Sequence, residues 1–345
     1  MSNMTLIYDQ SNNHTDSTPQ ESFKMTHETL AIDKSRRAKN KLFNSSGQVK
    51  RVVPFRYQIL GHGLNFISYI RNEWAASIIS NLWFTVFKSK VKPWTIKFWQ
   101  TADSCVVVQL KDKTIPVHLW GEGPLVVMMH GWSGSGSQFR KHIPGLVKAG
   151  FQVASFDAPA HGINPGKQSH LLDFSDTLVA IEQQIGKIDT VMAHSFGAMA
   201  TIVATQRGIS PRQMILIGPH LDAHEMHQTY SELLNLNPKL SQRFRDMIEL
   251  RMTDILKAGL FKVDKDVWDL LSPASLLSKT DYKGLLIYDL DDEEIPQSQF
   301  KEVEKYWKGC QTIETKGLGH HRILKDKKVI DNVLLFMNKT ALKTD

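Results

Sequence analysis

The chain has 345 residues, a formal net charge of +7 and two cysteines. This length suits two domains, or one large α/β domain with an insertion, and it allows a large buried core. Cys105 and Cys310 are too few for a disulfide framework, which excludes a small secreted scaffold. No run of about 18 apolar residues is present, so we expect no membrane-spanning helix. The polar N-terminus has no signal-peptide pattern, which favours a cytoplasmic location.

The positive charge is concentrated at the N-terminal end of the chain. Residues 1–100 contain 14 Lys and Arg against 6 Asp and Glu, whereas residues 101–345 contain 28 against 29. Residues 1–50 are poor in apolar side chains, which predicts a largely disordered basic leader. A basic segment can attract nucleic acid or anionic lipid. Because no zinc-finger spacing or repeat accompanies it, we expect no nucleic-acid partner.

An apolar segment follows the leader, and we assign residues 51–100 to an N-terminal helical segment. Its apolar residues recur at roughly helical spacing, which predicts a helix that packs on the core or on a surface. They are Leu64, Ile67, Ile70, Trp74, Ile78, Leu82 and Val86. Lysines and aromatic residues then alternate towards residue 99. Packing on the main domain is the favoured reading, and a peripheral membrane contact through residues 74–99 is the alternative.

After residue 100 the chain alternates between strand and helix patterns. Apolar runs predict strands at residues 105–110, 115–120, 124–129, 151–156, 190–193, 214–217, 284–288 and 311–315. Helical patterns fall at residues 138–149, 172–185, 197–207 and 297–308. This alternation predicts an α/β fold with a mostly parallel, doubly wound sheet. We assign residues 101–220 and 280–345 to that core, and residues 221–279, where the alternation breaks, to a helical cap insertion.

The clearest catalytic pattern is AHSFG at residues 193–197, where a predicted strand meets a predicted helix. Small residues two positions before and after Ser195 let the backbones pass closely, so we expect Ser195 at the apex of a sharp turn. The helix N-terminus behind it favours developing negative charge. A structural serine that begins a helix is the alternative.

Acyl chemistry at a serine also needs two backbone N–H donors for the forming oxyanion. One donor is the residue after the nucleophile, which is Phe196. The other comes from a loop after an earlier strand, and Trp132 in HGWSG at 130–134 is well placed for it. The glycine-rich residues 133–137 do not predict a phosphate-binding P-loop, because no Lys-Ser or Lys-Thr pair follows Gly136.

A nucleophilic serine needs a base, and the base needs an orienting carboxylate. Five acids lie in the loop after the strand at 284–288, and spacing alone does not choose among them. They are Asp289, Asp291, Asp292, Glu293 and Glu294. After the last strand, GLGHH at 317–321 combines glycines that permit a tight turn with two imidazoles. The chain order serine, carboxylate, histidine is the one expected of this architecture.

Taken together, these motifs resemble the α/β-hydrolase fold family over residues 102–340. HGWSG at 130–134, DAPAHG at 157–162, AHSFG at 193–197, DDEEIP at 291–296 and GLGHH at 317–321 follow the family's order. The resemblance implies that Ser195 is the nucleophile, that Asp292 is the acid and that His320 is the base. Asp291 and His321 are the second choices. The lead-in near residues 82–93 resembles a bacterial subgroup of unassigned substrate.

The function we expect is that of a serine hydrolase cleaving a carboxylic ester, or a related acyl bond, of a small molecule. One alternative is a lipid-active acyl hydrolase or acyltransferase at a membrane surface. A second alternative is a catalytically silent binding protein with the hydrolase fold.

We expect neither a cofactor nor a metal ion. Three histidines begin the insertion, but exposed or cap-lining positions explain His220, His224 and His227 better than zinc binding, which needs ligands on one face. In the DAPAHG motif, His161 and Asp157 are expected to stabilise their loop.

Overall fold

The structure, a computed structural model, describes residues 5–8, 42–43, 49–50, 54–259, 266–279 and 282–341. Three short strands fall within the predicted leader: β1 (Thr5–Tyr8), β2 (Leu42–Phe43) and β3 (Val49–Lys50). β2 and β3 pair with each other in antiparallel fashion. The rest of residues 1–50, where the sequence predicts a largely disordered leader, lies outside the described residues.

The remaining elements follow the predicted alternation. The strands are β4 (Ser104–Gln109), β5 (Thr114–Trp120), β6 (Leu125–Met129), β7 (Gln152–Phe156), β8 (Ile188–His194), β9 (Gln213–Ile217), β10 (Lys283–Asp289) and β11 (Gln311–Thr315). The helices are α1 (Phe55–Trp83), α2 (Pro93–Trp99), α3 (Ile143–Lys148), α4 (Leu171–Gln184), α5 (Phe196–Thr205), α6 (Ala223–Leu233), α7 (Pro238–Ala258), α8 (Val267–Leu270), α9 (Gln297–Tyr306), α10 (Gly319–Arg322) and α11 (Lys327–Ala341). The predicted helix at 138–149 is instead a 3-10 turn, Gly136–Phe139, followed by the short α3.

Nine strands form one sheet in the order β1-β11-β10-β9-β8-β6-β7-β5-β4. All neighbouring pairs from β1 to β7 in this order are parallel, whereas the β7–β5 and β5–β4 pairs at the far edge are antiparallel. The carboxyl ends of β6, β8, β9, β10 and β11 therefore meet along one edge, where α/β proteins place their sites. The mostly parallel sheet with helices on both faces confirms the predicted fold class.

The central strand β6 shows how an uninterrupted apolar run builds such a sheet. All five of its residues are buried. Because successive side chains point to opposite faces, Val127 and Met129 enter one hydrophobic core while Val126 and Met128 enter the other. α1, α4, α5 and the cap helices pack on the first core, and α3 and α11 cover the second.

The N-terminal helix α1 packs against the cap with a face that matches the predicted stripe only in part. Its buried residues are Gly61, Leu64, Ser68, Ala75, Ala76, Ile79 and Ser80. From the predicted stripe, Ile70 and Trp74 are 71% and 61% exposed. At Arg71 the backbone leaves helical geometry, with φ −143° and ψ 84°. A helical period cannot be extended across such a break, which explains why the predicted stripe does not form one buried face.

Three helices, α6 to α8, occupy the residues predicted as the cap, and α1 is joined to them by polar contacts. The Asn65 amide donates to the Asn235 carbonyl (2.8 Å) and accepts from the Asn237 amide N–H (2.9 Å). Arg243 donates two hydrogen bonds of 2.6 Å to Glu73. α1 is therefore part of the same layer as the cap. Among the described residues, no helix is both long enough and apolar enough to cross a bilayer.

Candidate active site

Ser195 lies at the sharp corner between β8 and α5. Its φ of 54° and ψ of −126° belong to a region that residues with a side chain rarely adopt. The corner is held by a hydrogen bond from the Ser195 N–H to the Ile217 carbonyl (3.1 Å). A Cβ atom on Gly197 would lie 2.5 Å from the His130 carbonyl oxygen, so only glycine lets α5 approach β6 this closely. Ser195 therefore lies at the apex of a sharp turn between a strand and a helix.

The two candidate oxyanion donors lie beside this corner. Phe196 is the first residue of α5, where a helix leaves its N–H without an intrahelical partner. In the described part of the chain, the Trp132 backbone N–H donates no hydrogen bond to another backbone group either. Their rings touch edge to face, with centroids 5.3 Å apart. The loop after β6 reaches Ser195 because Gly131 has no Cβ, which would lie 2.9 Å from the Ser195 Cβ.

His320 and Asp292 form a buried pair across the carboxyl ends of β9 and β10. The His320 Nδ1 lies 2.8 Å from the Asp292 Oδ2, and these side chains are only 4% and 2% exposed. The other carboxylate oxygen, Oδ1, accepts from the Glu294 N–H and the Ile295 N–H, which fixes the acid's orientation. A Cβ on Gly218 would lie 3.3 Å from the His320 Nδ1, so this glycine makes room for the imidazole.

The second choices for acid and base lie elsewhere. Asp291 makes no hydrogen bond to either histidine among the described residues, and its N–H donates to Asp289. The His321 ring is 70% exposed and lies 3.0 Å from a Glu294 oxygen, which raises the pKa of His321 through that hydrogen bond. The structure thus brings Asp292 and His320 together. It forms no hydrogen bond between the Ser195 hydroxyl and the His320 ring in its described part.

Two residues that sequence reasoning missed hold the loops of this site. Buried His194 donates through Nε2 to the His320 carbonyl oxygen (3.0 Å), and the two ring centroids are 4.5 Å apart. Burial, followed by the nearby charge of His320, holds the pKa of His194 well below its ordinary value. Asp289 accepts from the Asp291 N–H (2.9 Å) and the Leu318 N–H (2.9 Å), which ties the acid loop to the base loop. The only sequence signal for either was its position at a strand end.

The DAPAHG loop braces the site from the side of β7. Asp157 accepts from the Gly136 N–H (2.8 Å) and the Ile163 N–H (2.9 Å). The ring of His130 accepts at Nε2 from the Ala158 N–H (2.9 Å). Burial lowers the pKa of His161 to about 3, so this ring is neutral at pH 7. These contacts agree with the loop-stabilising roles expected for Asp157 and His161.

A cavity of about 200 Å³ opens beside Trp132 and Phe196. Its lining is mostly apolar and comes from three parts of the chain. The core supplies Met199, the cap supplies Met226 and Leu233, and the end of α1 with the next residue supplies Trp83 and Phe84. An apolar group attached to a carbonyl at Ser195 would find a binding pocket here.

The three cap histidines point to separate partners. His220 lies 2.6 Å from Glu225, His224 accepts from Arg245 (3.2 Å), and the His227 ring contacts the Ser241 carbonyl (3.2 Å). No group of three or more metal-ligating side chains is found among the described residues.

Comparison with solved structures gives similarity in fold. A protein from Acinetobacter baumannii AYE with the provisional name lipase is 19% identical, with a TM-score of 0.55 over 74% of this chain and 99% of that one. A meta-cleavage product hydrolase from Pseudomonas fluorescens IP01 is 17% identical, with a TM-score of 0.49 over 69% of this chain and 98% of that one. An esterase from Thermogutta terrifontis is 13% identical, with a TM-score of 0.49 over 68% and 98%.

No curated protein matches the chain. Residues 126–331, more than half of the chain, match the family described as the alpha/beta hydrolase family. This range includes the Ser195 corner, the DAPAHG loop and the buried pair of Asp292 and His320. The chain belongs to the alpha/beta hydrolase family.

Proposed function

We propose that this protein is a serine hydrolase that cleaves carboxylic esters, or related acyl bonds, through an acyl-enzyme. One observation carries the proposal. Ser195 stands at a positive-φ corner at the carboxyl end of β8, and its neighbour His194 contacts His320, which is paired with Asp292 in a buried position. The Asp292 carboxylate accepts a hydrogen bond from the Nδ1–H of His320, which leaves Nε2 unprotonated as the basic nitrogen.

In the first half-reaction, His320 Nε2 accepts the hydroxyl proton as Ser195 Oγ bonds to the carbonyl carbon. The carbonyl electron pair moves onto oxygen, where the Trp132 and Phe196 N–H groups stabilise it. Collapse of this intermediate breaks the carbon–oxygen bond to the alcohol, and the departing oxygen takes the proton from His320. In the second half-reaction, water loses a proton to His320 as its oxygen attacks the acyl carbon, and His320 then returns that proton to the Ser195 oxygen as the acid leaves.

The apolar cavity beside the two oxyanion donors supports substrates with an apolar acyl or alcohol group. The proposed substrate is therefore a small ester with a hydrocarbon part that fits between Met199, Met226 and Phe84. Turnover should rise with chain length until the cavity is filled and then fall.

The test is labelling by a fluorophosphonate probe, together with hydrolysis of p-nitrophenyl esters of increasing chain length. Ser195→Ala should abolish labelling and lower turnover by several orders of magnitude, with an unchanged circular-dichroism spectrum. Ser133→Ala, at the other positive-φ serine near the site, is the matched control and should keep its labelling. A folded wild type that neither labels nor hydrolyses any ester would overturn the proposal in favour of a silent binding protein.

A further inference from the structure

Large apolar side chains are exposed on one segment of the molecule far more than elsewhere. Ten of the sixteen exposed large apolar residues in the described part of the chain fall within residues 55–92. They are Phe55, Ile59, Leu60, Phe66, Tyr69, Ile70, Trp74, Ile78, Phe87 and Val91. Where such exposed apolar side chains lie together on one face, they mark a binding site for a membrane or a partner.

Within α1 these side chains form a stripe on the face away from the cap. Before the break at Arg71, Phe55, Ile59, Phe66 and Ile70 fall within an arc of about 60° at 100° per residue. Gly61, Leu64 and Ser68, which are buried, lie on the opposite side of this half of the helix. Because α1 already has a buried face of its own, the exposed stripe is a second face of the helix and not the face by which it packs on the protein.

The same segment is strongly cationic. Residues 55–92 contain five exposed cations: Arg56, Arg71, Lys88, Lys90 and Lys92. Their single acid, Glu73, is neutralised by two hydrogen bonds of 2.6 Å from Arg243. The Arg71 guanidinium lies 4.8 Å from the centre of the Trp74 ring, a cation and an aromatic ring side by side at the surface.

We propose that the exposed apolar and cationic side chains of residues 55–92, here called the α1 surface, bind this protein peripherally to an anionic lipid bilayer. Apolar side chains would enter the boundary between headgroups and acyl chains, while the cations contact lipid phosphates. Tyr69 and Trp74 are residue types that favour this boundary. From the sequence, such a contact is only the alternative interpretation of residues 74–99, whereas the exposed stripe begins at Phe55.

The charge distribution favours a bilayer over other occupants. In a symmetric dimer the α1 surface would meet its own copy, which brings cations against cations. Residues 1–53 carry eight Lys and Arg against five Asp and Glu, so the leader does not complement the surface either. Before the break at Arg71, residues 55–70 form about 24 Å of helix and present their stripe as a ridge, which suits a flat bilayer better than a binding groove.

The experiment is co-sedimentation of the full chain with sucrose-loaded vesicles. Vesicles of phosphatidylcholine mixed with phosphatidylglycerol should carry down the wild type, and vesicles of phosphatidylcholine alone should carry down far less. Phe66→Glu combined with Ile70→Glu should abolish binding, whereas Leu335→Glu, which changes an exposed leucine on α11, should not. Lys90→Glu with Lys92→Glu should weaken binding at least about tenfold, while Lys308→Glu with Lys339→Glu should change it much less.

Near-ultraviolet circular dichroism checks that each variant is folded. If the pair of glutamate substitutions does not fold, Phe66→Ser with Ile70→Ser is the milder pair that replaces it. Ser195→Ala should bind vesicles as the wild type does, so failure of the proposed chemistry and failure of this inference are separate results. A folded wild type that stays in the supernatant with anionic vesicles overturns the inference. A second outcome also overturns the inference. In it, sedimentation velocity shows a wild-type dimer that Phe66→Glu with Ile70→Glu dissociates, while vesicles bind neither protein.

Discussion

Two adjacent aspartates differ sharply in what their carboxylates touch. The Asp292 carboxylate contacts His320, whereas the Asp291 backbone N–H is tied to Asp289. Asp292→Asn should reverse the favoured tautomer of the imidazole and lower kcat for ester hydrolysis about 10³- to 10⁴-fold. Asp291→Asn should keep most of the activity. Steady-state kinetics on a p-nitrophenyl ester compares the two variants, and equal losses would contradict the assignment.

His194 acts on the proposed base through the backbone, as a positioning residue. Its Nε2 donates to the His320 carbonyl, and its ring packs against the His320 ring. His194→Leu should lower kcat about tenfold to a hundredfold and leave KM nearly unchanged, because the imidazole loses its alignment. His194→Gln retains a donor at a similar distance and should recover much of the loss. A purely structural role predicts parallel losses of thermal stability in both variants and no such recovery.

Sequence patterns select candidate residues by their chemical type, and they miss residues whose role depends on a contact. Ser195 could be predicted because a small-residue corner between strand and helix is a local feature. The bond from His194 to His320 joins positions 126 residues apart, and its existence depends on the order of strands in the sheet. Asp289 was one of five acids in a loop, and only its contact with Leu318 distinguishes it.

Among the elements, α1 offers a matched test of how closely it packs on the cap. A Cβ on Gly61 would lie 1.7 Å from the Leu234 carbonyl oxygen, whereas a Cβ on Gly63 would touch nothing within 4 Å. Gly61→Ala should therefore push α1 away from the cap and destabilise the protein by about 1–3 kcal/mol. Gly63→Ala should stabilise it by about 0.5–1 kcal/mol, because alanine favours helix. Urea unfolding measures both, and equal effects would contradict this packing.

The strands were predictable as elements because their apolar runs are local and uninterrupted. β6 and β9 are buried at all five positions, as continuous apolar runs lead one to expect. The buried face of α1 was not predictable in the same way. It consists largely of small residues such as Gly61, Ala75 and Ala76, whose role is to permit close approach. A prediction from hydrophobic periodicity depends on large apolar side chains, and most of those on α1 lie on its exposed face.

For the molecule as a whole, buried histidines couple stability to pH. Burial lowers the pKa of His142 to about 4 and that of His161 to about 3, against 6.5 for an ordinary histidine. Below pH 6.5 the unfolded chain therefore binds more protons than the folded chain. Stability should be complete above about pH 6.5 and fall towards pH 4, with each such histidine contributing up to about 1.4 kcal/mol per pH unit.

Denaturant unfolding at a series of pH values between about 7 and 4 measures this dependence. His142→Gln, which keeps a donor for the Leu324 carbonyl, should reduce the slope by about one proton. Arg322→Gln is the control. It changes an exposed residue and removes no buried imidazole, so the dependence of stability on pH should stay unchanged. A stability that stays flat from pH 7 to pH 5 would contradict the neutral state of these rings.

The position of Trp83 and Phe84 has a consequence for how the substrate range of such a protein can change over time. These residues wall the cavity, yet they precede residue 126, where the family match begins. A lineage can therefore replace, lengthen or lose this N-terminal wall without altering the strands, the Ser195 corner or the loops of Asp292 and His320. Selection for a new substrate could then act first on a segment that lies outside the matched family region.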